Sequence, residues 1–369
     1  MKKLLLVALT VCGFQAAQAQ VTLQNVQDSI STNTTWTNNK QYLLKGLVYV
    51  TSGATLTIDS GVIIKGDKNT KGTLIIERGA KIIAKGTATA PIVFTSNQPA
   101  GARAYGDWGG IIICGSAPTN WTAGQAQVEG GPRSFYGGTN PNDNSGTLQY
   151  VRIEFPGVAF SPGNEVNGLS LCGVGAATTI NNIQVSFCGD DSYEWFGGNV
   201  NAKYLVAYRG WDDDFDTDFG YRGNVQFGLS IRNENLSDAA GDSNCFESDN
   251  DAQGSVAQPL TAPIFSNFTI IGAKANGTVS LPIGEKFEKA FRLRRNTATS
   301  VFNSIVTGFE KGVSIEGVPV EDNLAGDTMR FHSNILSNFN TGTVCYTTTP
   351  GFMNSYFSQH NNDSLSTLV

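Results

Sequence analysis

Val151-Arg152-Ile153-Glu154-Phe155 sets apolar residues on alternate positions, and Ile183-Gln184-Val185-Ser186-Phe187 repeats the pattern. It returns at Tyr204-Leu205-Val206-Ala207-Tyr208 and at Phe227-Gly228-Leu229-Ser230-Ile231, after steps of 32, 21 and 23 residues. Weaker copies follow at Phe268-x-Ile270, Ile305-x-Thr307 and Ile335-x-Ser337. Period-two alternation marks strands with one inward and one outward face. In this phase Val151, Ile183, Tyr204 and Phe227 all begin inward rows. The uneven steps read as insertions in turns.

The same grammar runs tighter toward the N-terminus. Val48-x-Val50, Leu56-x-Ile58, Leu74-x-Ile76 and Ile82-Ile83 are separated by Ser52-Gly53, Ser60-Gly61, Arg78-Gly79 and Lys85-Gly86. Short strands with a corner every few residues, repeating in the low twenties, predict an all-β fold, a right-handed parallel β-helix. A propeller blade needs roughly 40–50 residues and four strands, and a sandwich lacks internal repetition. An Asn precedes the inward strand at Asn182, Asn267 and Asn334, which suggests a ladder of stacked amides, against the simpler reading of ordinary turn residues.

Composition narrows the function. The 369 residues include 42 Gly, only 15% charged residues, and 25 Lys and Arg against 31 Asp and Glu. With no basic surplus, a nucleic-acid partner is not expected. The only two histidines, His332 and His360, leave little room for histidine metal sites or a Ser-His-Asp triad. No segment is apolar for long enough to form a transmembrane helix.

Lys2, Lys3, the apolar run from Leu4 to Val11 and the small residues of Ala17-Gln18-Ala19 read as a signal peptide over residues 1–19. The β-helix domain then occupies residues 20–369, and the mature protein is extracytoplasmic. Leu9-Thr10-Val11-Cys12 is a poorer match to a lipoprotein signal, because Val11 is not small. Five widely spaced cysteines remain: Cys114, Cys172, Cys188, Cys245 and Cys345. They read as buried thiols, with a single bridge among Cys172, Cys188 and Cys245 as the alternative.

Longer motifs add a family resemblance. Gly72-Thr73-Leu74-Ile75-Ile76-Glu77-Arg78-Gly79-Ala80, Pro91-Ile92-Val93-Phe94-Thr95-Ser96 and Gly106-Asp107-Trp108-Gly109-Gly110-Ile111 resemble secreted right-handed parallel β-helix proteins of the pectin-lyase-like superfamily. Gly189-Asp190-Asp191-Ser192-Tyr193-Glu194-Trp195-Phe196-Gly197-Gly198 and the stretch from Arg209 to Asp218 are similar to the same group, exported or cell-surface proteins of Bacteroidota. The resemblance implies the fold and a secreted or outer-membrane-surface location in a Gram-negative bacterium, and no particular activity. The chain closes on residues 361–369 without a clear capping element, so the expectation is a truncated chain with an open last coil.

Three successive coils carry acids after the apolar strand: Asp190, Asp191 and Glu194; then Asp212, Asp213, Asp214, Asp216 and Asp218; then Asp242, Glu247, Asp249 and Asp251. Coils stack about 4.8 Å apart, so these carboxylates are expected to form one acidic face. Two readings stand. In the first, Asp190, Asp191, Glu194, Asp213, Asp214, Asp216, Asp218, Glu247 and Asp249 ligate Ca²⁺, a hard cation that takes oxygen donors. In the second, several acids cap turns while others are solvated or pair with Arg209, Arg222 and Arg232.

Aromatic residues interleave with the acids. Tyr193, Trp195, Trp211 and Tyr221 are expected to be exposed and, with Arg209, to contact a sugar ring, whereas Phe196, Phe219 and Phe246 are expected to stack in the core. Asp190, Asp191, Asp213 and Asp214 could supply paired catalytic carboxylates. The signature of polygalacturonases is not met, because Asp190-Asp191 precedes Asp216-Thr217-Asp218 and no His stands near either, and no lyase motif is found. The basic run Arg292-x-Arg294-Arg295 suits a solvated strand flanked by Glu285 and Glu288, or an acidic polysaccharide. The leading expectation is a surface protein that binds extracellular glycan or another surface component through an acidic, calcium-loaded face. The alternatives are a polysaccharide lyase or glycoside hydrolase, and a non-catalytic rod or adhesin.

Overall fold

The computed structural model describes residues 21–161, 164–238, 243–273, 289–339 and 344–365. The signal-peptide reading, Asp242, Glu285, Glu288 and residues 366–369 lie outside the described residues. Twenty-seven strands join in one continuous sheet that winds as a right-handed parallel β-helix.

The coil has three faces. One face stacks Thr73–Ile76, Ile111–Cys114, Leu169–Val174, Tyr193–Gly198, Phe215–Asp218, Phe246–Ser248 and Lys289–Leu293, each parallel to the next. The other two faces are served in the middle coils by single bent strands, Gly146–Glu154, Thr179–Ser186, Ala202–Tyr208 and Asn224–Ile231. Each carries its bend at one residue with positive φ. These residues stack in register as Tyr150, Asn182, Tyr204 and Phe227, and Asn267, Asn303, Ser333 and Asn361 extend the row. A left-handed residue turns the chain sharply, a conformation Asn tolerates and an aromatic residue does not favour.

The core is a set of side-chain columns. Tyr193, Phe215, Phe246 and Phe291 lie one above another, with centroids 5.4, 5.0 and 4.8 Å apart. Trp195 stacks on Tyr221 at 5.4 Å. Tyr193, Trp195 and Tyr221 are fully buried, so the expectation that they meet a ligand is overturned. Strand alternation is the reason: Glu194 faces out, which turns Tyr193 and Trp195 in. The buried phenols keep partners, with Tyr221 donating to the Val200 carbonyl at 2.8 Å. Phe246 belongs to this core as expected. Phe196 and Phe219 do not; they pack outside the coil, near Tyr136 and Trp121.

The repeat's phase also needs correction. Val151 and Ile183 align with Leu205 and Gly228, not with Tyr204 and Phe227. In these two coils the inward residues are Leu205, Ala207, Gly228 and Ser230, while Tyr204, Val206, Phe227 and Leu229 face out. A Cβ on Gly228 would sit 1.9 Å from the Phe268 ring, so the interior there is already filled by an aromatic residue of the next coil.

The amide ladder forms in a different place from the one expected. Asn334 and Asn362 stack inside the coil: the Asn334 backbone N–H and Nδ2 donate to Asn362 Oδ1 at 3.0 and 3.1 Å, and Asn334 Oδ1 accepts from the Ser304 N–H at 3.0 Å. Asn182 and Asn267 belong instead to the positive-φ corner row. Cys114, Cys172, Cys188 and Cys245 are buried free thiols, so the alternative of one bridge among them is not realised. The helix Phe352–Gln359 places Met353 in the core and packs Phe352, Tyr356 and Phe357 against it.

Candidate functional site

The acidic face exists, and it is concave. Strand register sets Ser170, Glu194, Asp216, Glu247 and Arg292 in one outward row across five coils. Next to it, the turns preceding these strands stack Asp191 over Asp213, and a hydrogen-bond chain links them: Asp191 Oδ1 accepts from the Asp213 N–H at 2.8 Å. Asp213 Oδ1 in turn accepts from the Asn244 N–H. Two segments outside the coil close the cavity and contribute Glu129, Glu165 and Asn167. Its volume is about 370 Å³, and Asp190, Asp191, Glu194, Asp212, Asp213, Asp216 and Glu247 line it, with Arg292 and Arg294 at one end.

Two triads of oxygens are especially close. One carboxylate oxygen from each of Asp190, Asp191 and Asp212 lies within 4.8 Å of the others, as do oxygens from Asp191, Glu194 and Asp216. Asp216 Oδ1 is buried without a hydrogen-bond partner. Such crowding opposes ionisation. Burial first, and the neighbouring Asp212 second, push Asp213 up to about 8. Burial then Asp238 push Asp212 to about 7, and burial raises Glu129 to about 7 despite the Asn167 hydrogen bond. Asp190, Asp191, Glu194 and Asp216 are held well above the carboxylate range, by burial and then by other acids. The donor set is all oxygen, with no His or Cys in either triad, and this chemistry fits a hard cation. Asp190, Asp191, Glu194, Asp212 and Asp216 are the residues that would hold it.

The remaining acids separate from this group. Asp214 turns into the core, where it meets Arg232 at 3.0 Å with both side chains fully buried, and accepts a hydrogen bond from Ser230. It is therefore neither a cation ligand nor a catalytic carboxylate on this face. Glu247 pairs with Arg292 at 3.2 Å and with Arg294, and Asp249 pairs with Arg294 at 2.8 Å and Arg295 at 2.6 Å. The arginine run thus neutralises the end of the acidic row; among the described residues its partners are Glu247, Asp249 and Glu316. Asp218 accepts from the Phe219 N–H at 2.6 Å, and Asp251 caps the amides of Gln253 and Ser255 at 2.9 and 3.0 Å. Arg209 pairs with Glu234 at 3.2 Å.

A second cavity of about 600 Å³ continues from the first and shares Glu165, Asp190 and Asp212 with it. Here Trp211 is half-buried, not exposed as expected, and lines the cavity. Tyr105 meets it edge to face at 6.1 Å and receives a hydrogen bond from Asn233 Nδ2 at 2.9 Å. Glu129, Glu165, Asn167 and Tyr105 were missed in the sequence. Each is an isolated polar residue in an irregular Gly-rich segment, and no repeat marks it.

A family model described as "Pectate-lyase like beta helix domain" matches residues 28–367. No curated protein and no solved structure matches the chain.

Proposed function

The chain belongs to the pectate-lyase-like β-helix family, and on that premise we propose that it is an exported surface protein that binds extracellular glycan at the acidic cleft, with Ca²⁺ held by the carboxylates. One observation carries this reading: Asp190 and Asp212 of the first oxygen triad also line the adjoining cavity walled by Trp211 and Tyr105. Apolar ring faces beside hydroxyl-binding oxygens suit a sugar. A cation relieves the repulsion among the carboxylates and gives a glycan's oxygens a further partner.

Hydrolase or lyase chemistry is the second reading. It is favoured by Glu129 and Asp212, whose raised pKa values near 7 suit proton transfer at neutral pH.

The test is calorimetric titration of the signal-free protein with Ca²⁺, then with polygalacturonate and neutral glycans, alongside a reducing-end assay. Saturable Ca²⁺ binding, and polygalacturonate binding lost on chelation and in Trp211→Ala, is the expected result. New reducing ends or unsaturated products would establish the second reading. Absence of Ca²⁺ binding would remove the cation from the first.

A further inference from the structure

The out-of-phase coils leave an apolar surface that the core does not require. Tyr204 and Phe227 are 47% and 39% exposed, stack at 5.1 Å with their planes 9° apart, and face away from the interior. Val206 and Leu229 lie beside them on the same outward rows. Together they form the floor of a groove of about 610 Å³, within the roughly 300–1,000 Å³ typical of ligand sites. It lies on the bent strands, a different face of the β-helix from the acidic cleft.

Backbone conformation is also unusual along the groove. In the corner row of positive-φ residues, the positions beyond the groove are Asn303, Ser333 and Asn361, short polar residues suited to that conformation. Where the row lines the groove it holds Tyr150, Tyr204 and Phe227 alongside Asn182 and Asn267. Bulky rings are thus kept both in a disfavoured conformation and in water.

The polar groups of the groove are neutral. Asn182, Gln184 and Asn267 present amides, and the guanidinium of Arg152 is bound by Glu154. The groove touches six successive coils, so it runs about 24 Å along the axis at about 4.8 Å per coil. An elongated channel of ring edges and amides, without net charge, matches one occupant. We infer that this groove binds an extended, uncharged polysaccharide chain, independently of the acidic cleft and of any cation.

The experiment measures binding of soluble neutral β-glucan and β-mannan, with polygalacturonate as the anionic arm, by affinity electrophoresis and calorimetry. Wild type is expected to retain a neutral glycan with chelator present, and Asp190→Asn/Asp212→Asn is expected to bind it equally. Tyr204→Asn/Phe227→Asn removes both rings while placing a residue suited to positive φ at each corner. It should melt no lower than wild type and bind at least tenfold more weakly. Leu229→Thr, which keeps a strand-forming residue on the groove floor, should also weaken binding. Failure of both neutral glycans to bind would overturn the proposal. So would unchanged affinity in these groove variants, or loss of binding in Asp190→Asn/Asp212→Asn.

Discussion

Arg232 shows how much one buried residue organises. Its guanidinium donates to the carbonyl oxygens of Asp212 and Trp211, the latter at 3.2 Å, and pairs with Asp214. The turn that aims Asp212 and Asp213 into the cavity is therefore tied down from below. Arg232→Met leaves Asp214 as an uncompensated buried charge, which costs about 3–5 kcal/mol. Denaturant melts should show that loss, and Arg232→Met/Asp214→Leu should recover part of it. Recovery is expected because the pair itself contributes little beyond its mutual compensation. An unchanged midpoint in Arg232→Met would refute this account. The sidedness of Asp214 was not legible in sequence. Asp212, Asp213, Asp214, Asp216 and Asp218 read as one acidic run, and nothing in the run marks the member that points inward toward an arginine in the next coil.

At the scale of the coil, the strands and their corners were legible because the repeat stacks like on like. The phase was not, wherever the outer face is as apolar as the inner one. Tyr204-x-Val206-x-Tyr208 looks like a core row, yet Leu205 and Ala207 are the core. A one-residue shift exchanges the faces, which is also how Tyr193 and Trp195 came to be read as exposed. The Asn reading failed in a related way: Asn334 stacks inside, whereas Asn182 and Asn267 lie one register earlier, at the bend. The inner ladder yields a prediction. Asn334 serves the Ser304 N–H and the Val301 carbonyl, at 3.0 and 3.1 Å, in a site closed to water. Asn334→Ala leaves both without that partner, and each unsatisfied group costs about 1–3 kcal/mol. Thermal and denaturant melts should show a clear loss. By contrast, Asn182→Ala, at the half-buried corner, should cost less.

Over the whole molecule, the acidic cavity makes stability depend on pH and, on the proposed function, on a bound cation. Its carboxylates have folded-state pKa values raised above the ordinary range, with Asp213 about 8 and Asp212, Glu129 and Glu247 about 7. For all four the principal cause is burial. Between roughly pH 4, where free carboxylates ionise, and these values, the folded chain holds more protons than the unfolded one. The stability they contribute is thus full below about pH 4 and is lost as pH rises through 7 to 8. With chelator present, the melting temperature should fall between pH 5 and pH 8.5. Ca²⁺ that binds only the folded state opposes this fall, by about 2.7 kcal/mol at a hundredfold excess over its Kd. The two curves should therefore diverge most at high pH. Replacing Asp190 and Asp212 by Asn removes like charge from the cavity. If cation binding is the role of these acids, that variant melts higher than wild type in chelator at pH 8.5 and gains little from Ca²⁺. If they serve instead as turn caps, it melts lower in both conditions, and the cation has no place in the cleft.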